Sequence, residues 1–515
     1  MKEDIRSKHN KFYITTAIDY ANASPHLGHA YEKICADTIA RWHRFKGEDV
    51  YFLTGTDENA QKNVQAAKVA GINVKEFITE NSKKFINLCR KLNLSNDDFI
   101  RTTEKRHVEV SQLIFKKLYD KGDIYKGFYE GYYCDGCEAF ITEKELIDGR
   151  CPEHNIEPRV IKEENYLFRL SKYQKDILKL LEHDLVEPES RKNEIVNRVK
   201  AGLNDLSVSR KSLDWGIPVP FDKEHRIYVW IDALINYISA LGYPDGEKFK
   251  KYWPADIHLI GKGINWFHSC IWPAILMSSE IELPAKIFVH GYVNIQGQKI
   301  SKSRSNAIDP IQLIDEYGVD ALRYFLLREI PFGEDGNFSH SAFIQRYNSD
   351  LANDLGNLLN RTLTMIEKYF DGLIPWSSKS SSLDKKLVES TKNLHKRLDN
   401  LMNKLDINRS LEVIWELINK ANKYIEDSKP WQLNKNNEER LKTVMYNLTE
   451  VLRVVSLSLS SFIPAASNNI LKQLNQKVIT ETLSFEEIKI WGKIKPQTKI
   501  LKGKPLFPRI KQQNE

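Results

Sequence analysis

The tightest constraint on this chain is a recurring local pattern: a β-branched or aromatic run, a short polar loop, then a stretch with helical periodicity. The first run is Lys11-Phe12-Tyr13-Ile14-Thr15-Thr16, followed by a loop holding Asn22, Ser24 and Pro25. Ile34, Cys35, Ile39, Trp42 and Phe45 then recur at helical spacing as far as Gly47. His26-Leu27-Gly28-His29 therefore falls at or just before a helix N-terminus, where unpaired N–H groups and a partial positive charge suit a phosphate. Val50-Tyr51-Phe52-Leu53, Ile227-Tyr228-Val229-Trp230, Ile257-His258-Leu259-Ile260-Gly261 and Lys286-Ile287-Phe288-Val289 are further strand-like runs. This alternation predicts an α/β fold with a doubly wound parallel nucleotide-binding (Rossmann-like) sheet, whose ligand crevice lies at the carboxyl ends of the strands.

A second polar cassette, Lys299-Ile300-Ser301-Lys302-Ser303, lies between Gly297 and Asn306-Ala307-Ile308-Asp309-Pro310. Taken singly, a His-x-x-His usually caps or packs, and a Lys-x-Ser-Lys-Ser is often a solvated basic turn. Each cassette here follows a strand-like run, and together they supply two imidazoles and two ammonium groups for one triphosphate. The reading is nucleotidyl transfer, with His26, His29, Lys299 and Lys302 stabilising charge at the α-phosphate and Gly28 letting the nucleotide approach the backbone.

At 515 residues the chain is too long for one core. The pattern divides it into a first half of the sheet domain, 1–117, and a connective insertion, 118–225. The second half of the sheet domain, 226–308, ends in the lysine loop; a linking segment, 309–349, leads to an all-α helical bundle, 350–515. In the insertion, Cys134-x-x-Cys137 and Cys151-x-x-His154 have the spacing of two knuckles around a tetrahedral Zn2+. Four protein ligands leave no open position, so one structural zinc per chain is expected. Cys35, Cys89 and Cys270 sit singly in apolar helical patterns and read as small buried residues. No apolar run approaches the ~20 residues of a membrane span, and only a short polar stretch precedes the first strand, so a cytoplasmic protein is expected. The net charge of +7 is compatible with a polyanionic partner. In the helical part, Leu411, Ile414, Trp415, Leu417, Ile418 and Ala421 form one apolar face, and Leu448, Val451, Leu452, Val455 and Leu459 another. Ser377 to Ser382 reads as a surface linker.

The two cassettes resemble the HIGH and KMSKS motifs of class I aminoacyl-tRNA synthetases, and from Tyr13 to Arg509 the chain is most similar to the methionyl-tRNA synthetases. The resemblance implies activation of L-methionine by ATP, carried with Mg2+, to methionyl-adenylate and pyrophosphate. Transfer to the 3′ end of methionine tRNA, initiator and elongator, would follow. It places ATP against His26, Gly28, His29, Gly261 and Lys302. Methionine needs an apolar aromatic slot with one carboxylate for its ammonium group. The resemblance assigns that slot to Ala17, Ile18, Tyr20, Asp57, Trp230, Ala233, Leu234, Tyr237, Ile264 and His268, with Trp272 behind. Asn357, Arg361 and Trp431 would read the anticodon, since an amide, a guanidinium and an indole can hydrogen-bond to and stack on unpaired bases.

The chain departs from the family pattern at Asn59-Ala60, where relatives usually have His-Gly; at Gly263, where Gly-Lys-Asp would supply a carboxylate near the ATP ribose; and at Ile300 and Ser305 in the lysine loop. An active enzyme with weakened ATP affinity is expected, acting as a monomer, because the chain ends soon after Pro505-Leu506-Phe507-Pro508-Arg509. Two alternatives stay open: a synthetase-like RNA-binding or regulatory protein that no longer makes adenylate, and another class I synthetase. Among the latter, the leucine, isoleucine and valine enzymes carry an editing insertion larger than 118–225.

Overall fold

Tyr13, Ile14, Thr15 and Thr16 are all buried, so strand β1 (Lys11–Thr16) is covered on both faces, as a central strand of a parallel sheet must be. The computed structural model describes residues 10–141, 143, 146–211, 213–299, 308–477 and 484–511. Two units emerge, Met1–Ala36 with Val50–Tyr292, and Asp37–Asp49 with Val293–Glu515.

The first unit is built on a seven-stranded sheet. In chain order the other strands are β2 (Asp19–Tyr20), β3 (Asp49–Asp57), β4 (Asp98–Arg101), β5 (Val186–Glu187), β6 (Ile257–Gly261) and β7 (Ile287–His290). They are hydrogen-bonded in the order β2-β3-β1-β6-β7-β5, with β4 also against β3. The registers are parallel, with Ile14 opposite Ile257, Leu259 opposite Phe288 and Leu53 opposite Asp98. From β1 the chain goes to β3 on one side and later to β6 on the other. This is a topological switch point, and the crevice beyond it is bounded by the carboxyl ends of the strands at Thr16, Asp57, Gly261 and His290. Helix α1 (Leu27–Phe45) starts one residue after His26. Helix α2 (Val229–Ser239) is buried at every position, and is tied to β1 by the Tyr13 hydroxyl on the Tyr237 carbonyl and to the turn after β3 by Asn59 on Asp232.

The inserted segment forms an antiparallel sheet of Ala139–Ile141, Ile124–Cys134, Arg159–Phe168 and Leu206–Ser207, in that order. Its long ladder runs from Ile124 opposite Phe168 to Tyr133 opposite Arg159, leaving Cys134 at the distal end. The same segment also returns to the main sheet, where Val186 and Glu187 pair with Ile287 and Phe288 as its edge strand.

In the second unit Val293–Ile295 pairs antiparallel with Gln298–Lys299 and parallel with Gly336–Phe338. Helices Asn357–Phe370, Ser382–Met402, Ile407–Ser428, Glu438–Leu459 and Pro464–Gln473 follow. Both apolar faces read from the sequence are buried. The serine-rich stretch ends in a capping box, with Ser381 and Asp384 satisfying each other's backbone N–H at the start of the Ser382 helix. A buried guanidinium, Arg323, pairs with Asp37 at 2.7 Å and donates to the carbonyls of Phe462 and Ser461. Among the described residues no helix is long and apolar enough to cross a membrane.

Candidate active site

His26 stands where α1 begins, and its Nδ1 accepts from the Gly28 N–H at 3.1 Å, serving as a side-chain cap. The His26 N–H in turn donates to His29 Nδ1 at 3.0 Å, and the two rings stack with centroids 3.7 Å apart. A Cβ on Gly28 would meet His26 Cε1 at 3.0 Å, so the smallest residue lets the ring lie back over the helix start. His29 Nε2 lies 3.8 Å from Asp19, whose carboxylate holds the buried Lys33 ammonium. Of the lysine cassette, Lys302 lies outside the described residues; the Lys299 backbone is the last residue of the Gln298–Lys299 strand, opposite Asn294.

The proposed methionine residues lie together in the first unit's core. Ala17 follows β1 with its N–H on the Leu259 carbonyl, and Ile18 and Tyr20 pack against the same core. Trp230 stacks on Phe267 at 3.7 Å and 8° and meets Tyr20 edge-on at 6.4 Å. Phe267 opens a π-helical turn, Phe267–Ile271, a local widening frequent at functional sites. Phe267 belongs to no motif in the sequence, and its place three residues after Ile264 is the signal that points to it. Ala233 and Leu234 are buried on α2, and Trp272 lies 6.0 Å from the Tyr237 ring.

At the back of the slot hydrogen bonds fix the histidine tautomers. His268 Nδ1 reaches the Ile264 carbonyl at 3.0 Å and so carries the proton; Nε2 accepts from the Tyr237 hydroxyl at 2.7 Å. His258 is held likewise, accepting at Nε2 from the Trp272 indole and donating at Nδ1 to Thr15. Burial lowers the His268 pKa to about 4 and pushes that of His258 well down, so both stay neutral and the slot remains uncharged. Their folded pKa values lie below the unfolded one, so the unfolded chain takes up the extra protons as pH falls. Stability is therefore expected to decline from about pH 6.5 toward pH 4, with His268 contributing on the order of 3 kcal/mol. A His268→Gln variant should lose that share of the slope in denaturant titrations from pH 7 to 4, and an unchanged slope would contradict the assignment.

Asp57, at the carboxyl end of β3, is 2% exposed. Its Oδ1 accepts from the Asn59 N–H at 3.2 Å, and among the described residues no cation pairs with it. Burial, then the nearby Asp232 and Glu138 charges, push its pKa well above the ordinary carboxylate value. Burial likewise lifts Glu138 to about 7. Asp232 accepts from Asn59 Nδ2 at 2.7 Å and bonds His107 Nε2 at 2.5 Å. Asn59, the departure from the usual histidine, thus ties the Asp57 turn to α2. Among the described residues the Tyr20 hydroxyl is buried with no hydrogen-bond partner, and Lys62 stands 4.6 Å over its ring. An acidic, desolvated pocket floor beside an aromatic slot suits a ligand with a cation at one end and an apolar chain at the other.

The donor atoms of Cys134, Cys137, Cys151 and His154 all lie within 4.8 Å of one another. The Cys137 and Cys151 sulfurs are 3.6 Å apart, close to the ~3.8 Å edge expected for thiolates at about 2.3 Å on a tetrahedral zinc. The residues present therefore fit such an ion.

In the second unit Asn357 and Trp431 are exposed, Trp431 at 42%. Arg361 is half-buried and pairs with Glu426 at 2.7 Å. That pair carries Arg361 to the end of the Ile407–Ser428 helix, from which Lys429 turns, with φ of 46°, into the short Pro430–Asn436 helix bearing Trp431.

The sequence matches the family described as tRNA synthetases class I (M) over residues 12–159 and 154–363, and the anticodon binding domain of methionyl tRNA ligase over 374–515. It is 50% identical over 510 residues to the methionine–tRNA ligase of Caldanaerobacter subterraneus subsp. tengcongensis, covering 98% of this chain and 80% of that one. The Thermotoga maritima methionine–tRNA ligase is 48% identical over 508 residues, covering 97% and 80%. The structure superposes on Mycobacterium tuberculosis methionyl-tRNA synthetase bound by methionyl-adenylate with a TM-score of 0.93 and 41% identity, over 97% of this chain and all of that one. The chain therefore belongs to the methionyl-tRNA synthetases of class I, ligases that join methionine to its tRNA.

Proposed function

We propose that the slot lined by Ala17, Ile18, Tyr20, Trp230, Ala233, Leu234, Tyr237, Ile264 and His268 receives the methionine side chain. Asp57 takes its ammonium group, and the amino-acid carboxylate points toward the start of α1. The observation that carries this reading is the buried Asp57 carboxyl beside a stacked aromatic wall, an acid held above its ordinary pKa whose charged form a bound cation would stabilise at the crevice end of a parallel sheet. The methionine carboxylate attacks the α-phosphate of Mg-ATP in line, a phosphorus–oxygen bond to the carboxylate forms, and pyrophosphate leaves. His26, His29, Lys299 and Lys302 offset the spreading charge, with Gly28 and Gly261 allowing the nucleotide close to the backbone. A terminal ribose hydroxyl of the tRNA then takes the methionyl group, releasing AMP. No protein nucleophile is needed. Zinc on Cys134, Cys137, Cys151 and His154 has a folding role only.

Asn357, Arg361 and Trp431 read the anticodon, with the exposed indole stacking on an unpaired base and Arg361 held ready by Glu426. Methionine-dependent ATP–pyrophosphate exchange tests the first step; its absence would remove the reading. For the second, Trp431→Ala should leave exchange intact and lower kcat/KM for methionine tRNA about ten- to a hundredfold, the scale of one lost stack. Unchanged aminoacylation would clear Trp431 of any role.

A further inference from the structure

Gly263 stands where the family resemblance implies a carboxylate near the nucleotide sugar, and the structure brings a different carboxylate beside it. A Cβ built on Gly263 would lie 2.3 Å from the Tyr292 hydroxyl oxygen, 3.5 Å from Tyr292 Cζ and 3.7 Å from Glu153 Oε1. The Tyr292 hydroxyl donates to that same Glu153 oxygen at 2.7 Å. A carboxylate thus stands beside the spot where an aspartate side chain would begin, delivered from the cysteine–histidine knuckle instead of from the loop itself. The surroundings belong to the crevice: Gly263 is two residues past the end of β6, and Tyr292 two past the end of β7. Lys262 stands 4.5 Å over the Tyr292 ring, a cation–π contact that helps hold the phenol.

We infer that Glu153, oriented by Tyr292 across the space left by Gly263, accepts hydrogen bonds from the ribose hydroxyls of ATP. The inference rests on the synthetase reading above. A carboxylate has about four acceptor positions, and the phenol uses one of them. Acidic side chains at the carboxyl ends of parallel strands bind ribose hydroxyls in dinucleotide sites by the same chemistry. Glycine and tyrosine go together here: with the hydroxyl in place no side chain fits at 263, and with the glycine in place the hydroxyl has room to aim Glu153.

The test is pyrophosphate exchange with ATP, 2′-deoxyATP and 3′-deoxyATP. The unaltered protein should prefer ATP over at least one deoxy analogue by about ten- to a hundredfold in KM, the scale of a hydrogen bond to a charged group. Glu153→Gln should raise KM for ATP by a similar factor with little change in kcat and leave KM for that analogue where it was, so the preference collapses. Tyr292→Phe, which changes no residue of the knuckle itself and removes only the hydroxyl that aims Glu153, should weaken it in the same direction. General damage to the site would raise KM for all three nucleotides together. Gly263→Asp should fail alone and succeed on the Tyr292→Phe background, where Cζ at 3.5 Å is an ordinary contact; there it should restore the preference. Zinc content is measured alongside, and if Glu153→Gln loses metal, Tyr292→Phe decides. Deoxy discrimination that survives in Tyr292→Phe and in zinc-replete Glu153→Gln overturns the inference, whereas no exchange by the unaltered protein overturns the synthetase reading itself.

Discussion

Asparagine at position 57 should raise KM for methionine about a hundred- to a thousandfold and, at the same time, make the ligand-free protein more stable at neutral pH. The first effect follows from removing one partner of a desolvated charge pair, which costs about 2–5 kcal/mol. The second follows from the sign of the linkage. Burial and the Asp232 and Glu138 charges hold the Asp57 pKa above its unfolded value, so the carboxyl favours the folded state below about pH 4 and progressively disfavours it as pH rises. An amide keeps the shape and the bond from the Asn59 N–H without the ionisation. Exchange kinetics across methionine concentration, with melting curves at pH 4 and pH 7, measure both. Normal methionine KM, or a melting point that drops at pH 7, would show that Asp57 is an ordinary core acid.

Cys151→Ser should release the metal, unfold the knuckle and weaken methionine binding about tenfold, although none of the four ligands is among the residues assigned to the slot. Structural zinc supplies on the order of 10–16 kcal/mol of folding free energy in small zinc domains, and this insertion end has little core of its own. The coupling to methionine runs through the backbone: the Cys137 carbonyl accepts from the Trp230 indole at 3.4 Å, and the Glu138 carbonyl from the Tyr228 hydroxyl at 2.6 Å. Losing two such bonds, each about 1 kcal/mol, loosens the wall that stacks on Phe267. Metal analysis, thermal melts and methionine titration would read this. A metal-free variant with unaltered methionine affinity would show that the two hydrogen bonds do not brace the slot.

The sheet was legible because central parallel strands are buried on both faces and leave continuous apolar runs, as at Tyr13, Ile14, Phe52, Leu53 and Ile257–Ile260. β2 and β5 are two residues long and leave no such trace. Val186–Glu187 pairs only because tertiary structure brings it to Ile287, inside a segment whose composition reads as charged helix. The donor set Cys134, Cys137, Cys151 and His154 could be read from spacing alone, since metal ligands come in knuckles. The pocket floor could not. Asp232 and His107 become significant through burial and a contact across 125 residues, and Glu138 through burial beside Asp57, which no periodicity records. The tryptophans make the same point, for Trp415 and Trp272 are core while Trp431 faces solvent, and their local patterns do not separate them. Arg361 stands out in the sequence only through the family resemblance, and its ion-pair partner, Glu426, comes from a different helix.

The gathering of Asp57, Asp232 and Glu138 has a consequence for which molecules are turned away. A methionine whose nitrogen is already acylated brings no positive charge, so it would leave the mutual repulsion of these acids unrelieved while crowding a bulky amide against them. On the proposed placement of methionine, selection would begin at the opposite end of the amino acid from its sulfur, and an N-blocked molecule would be refused however well its side chain fits.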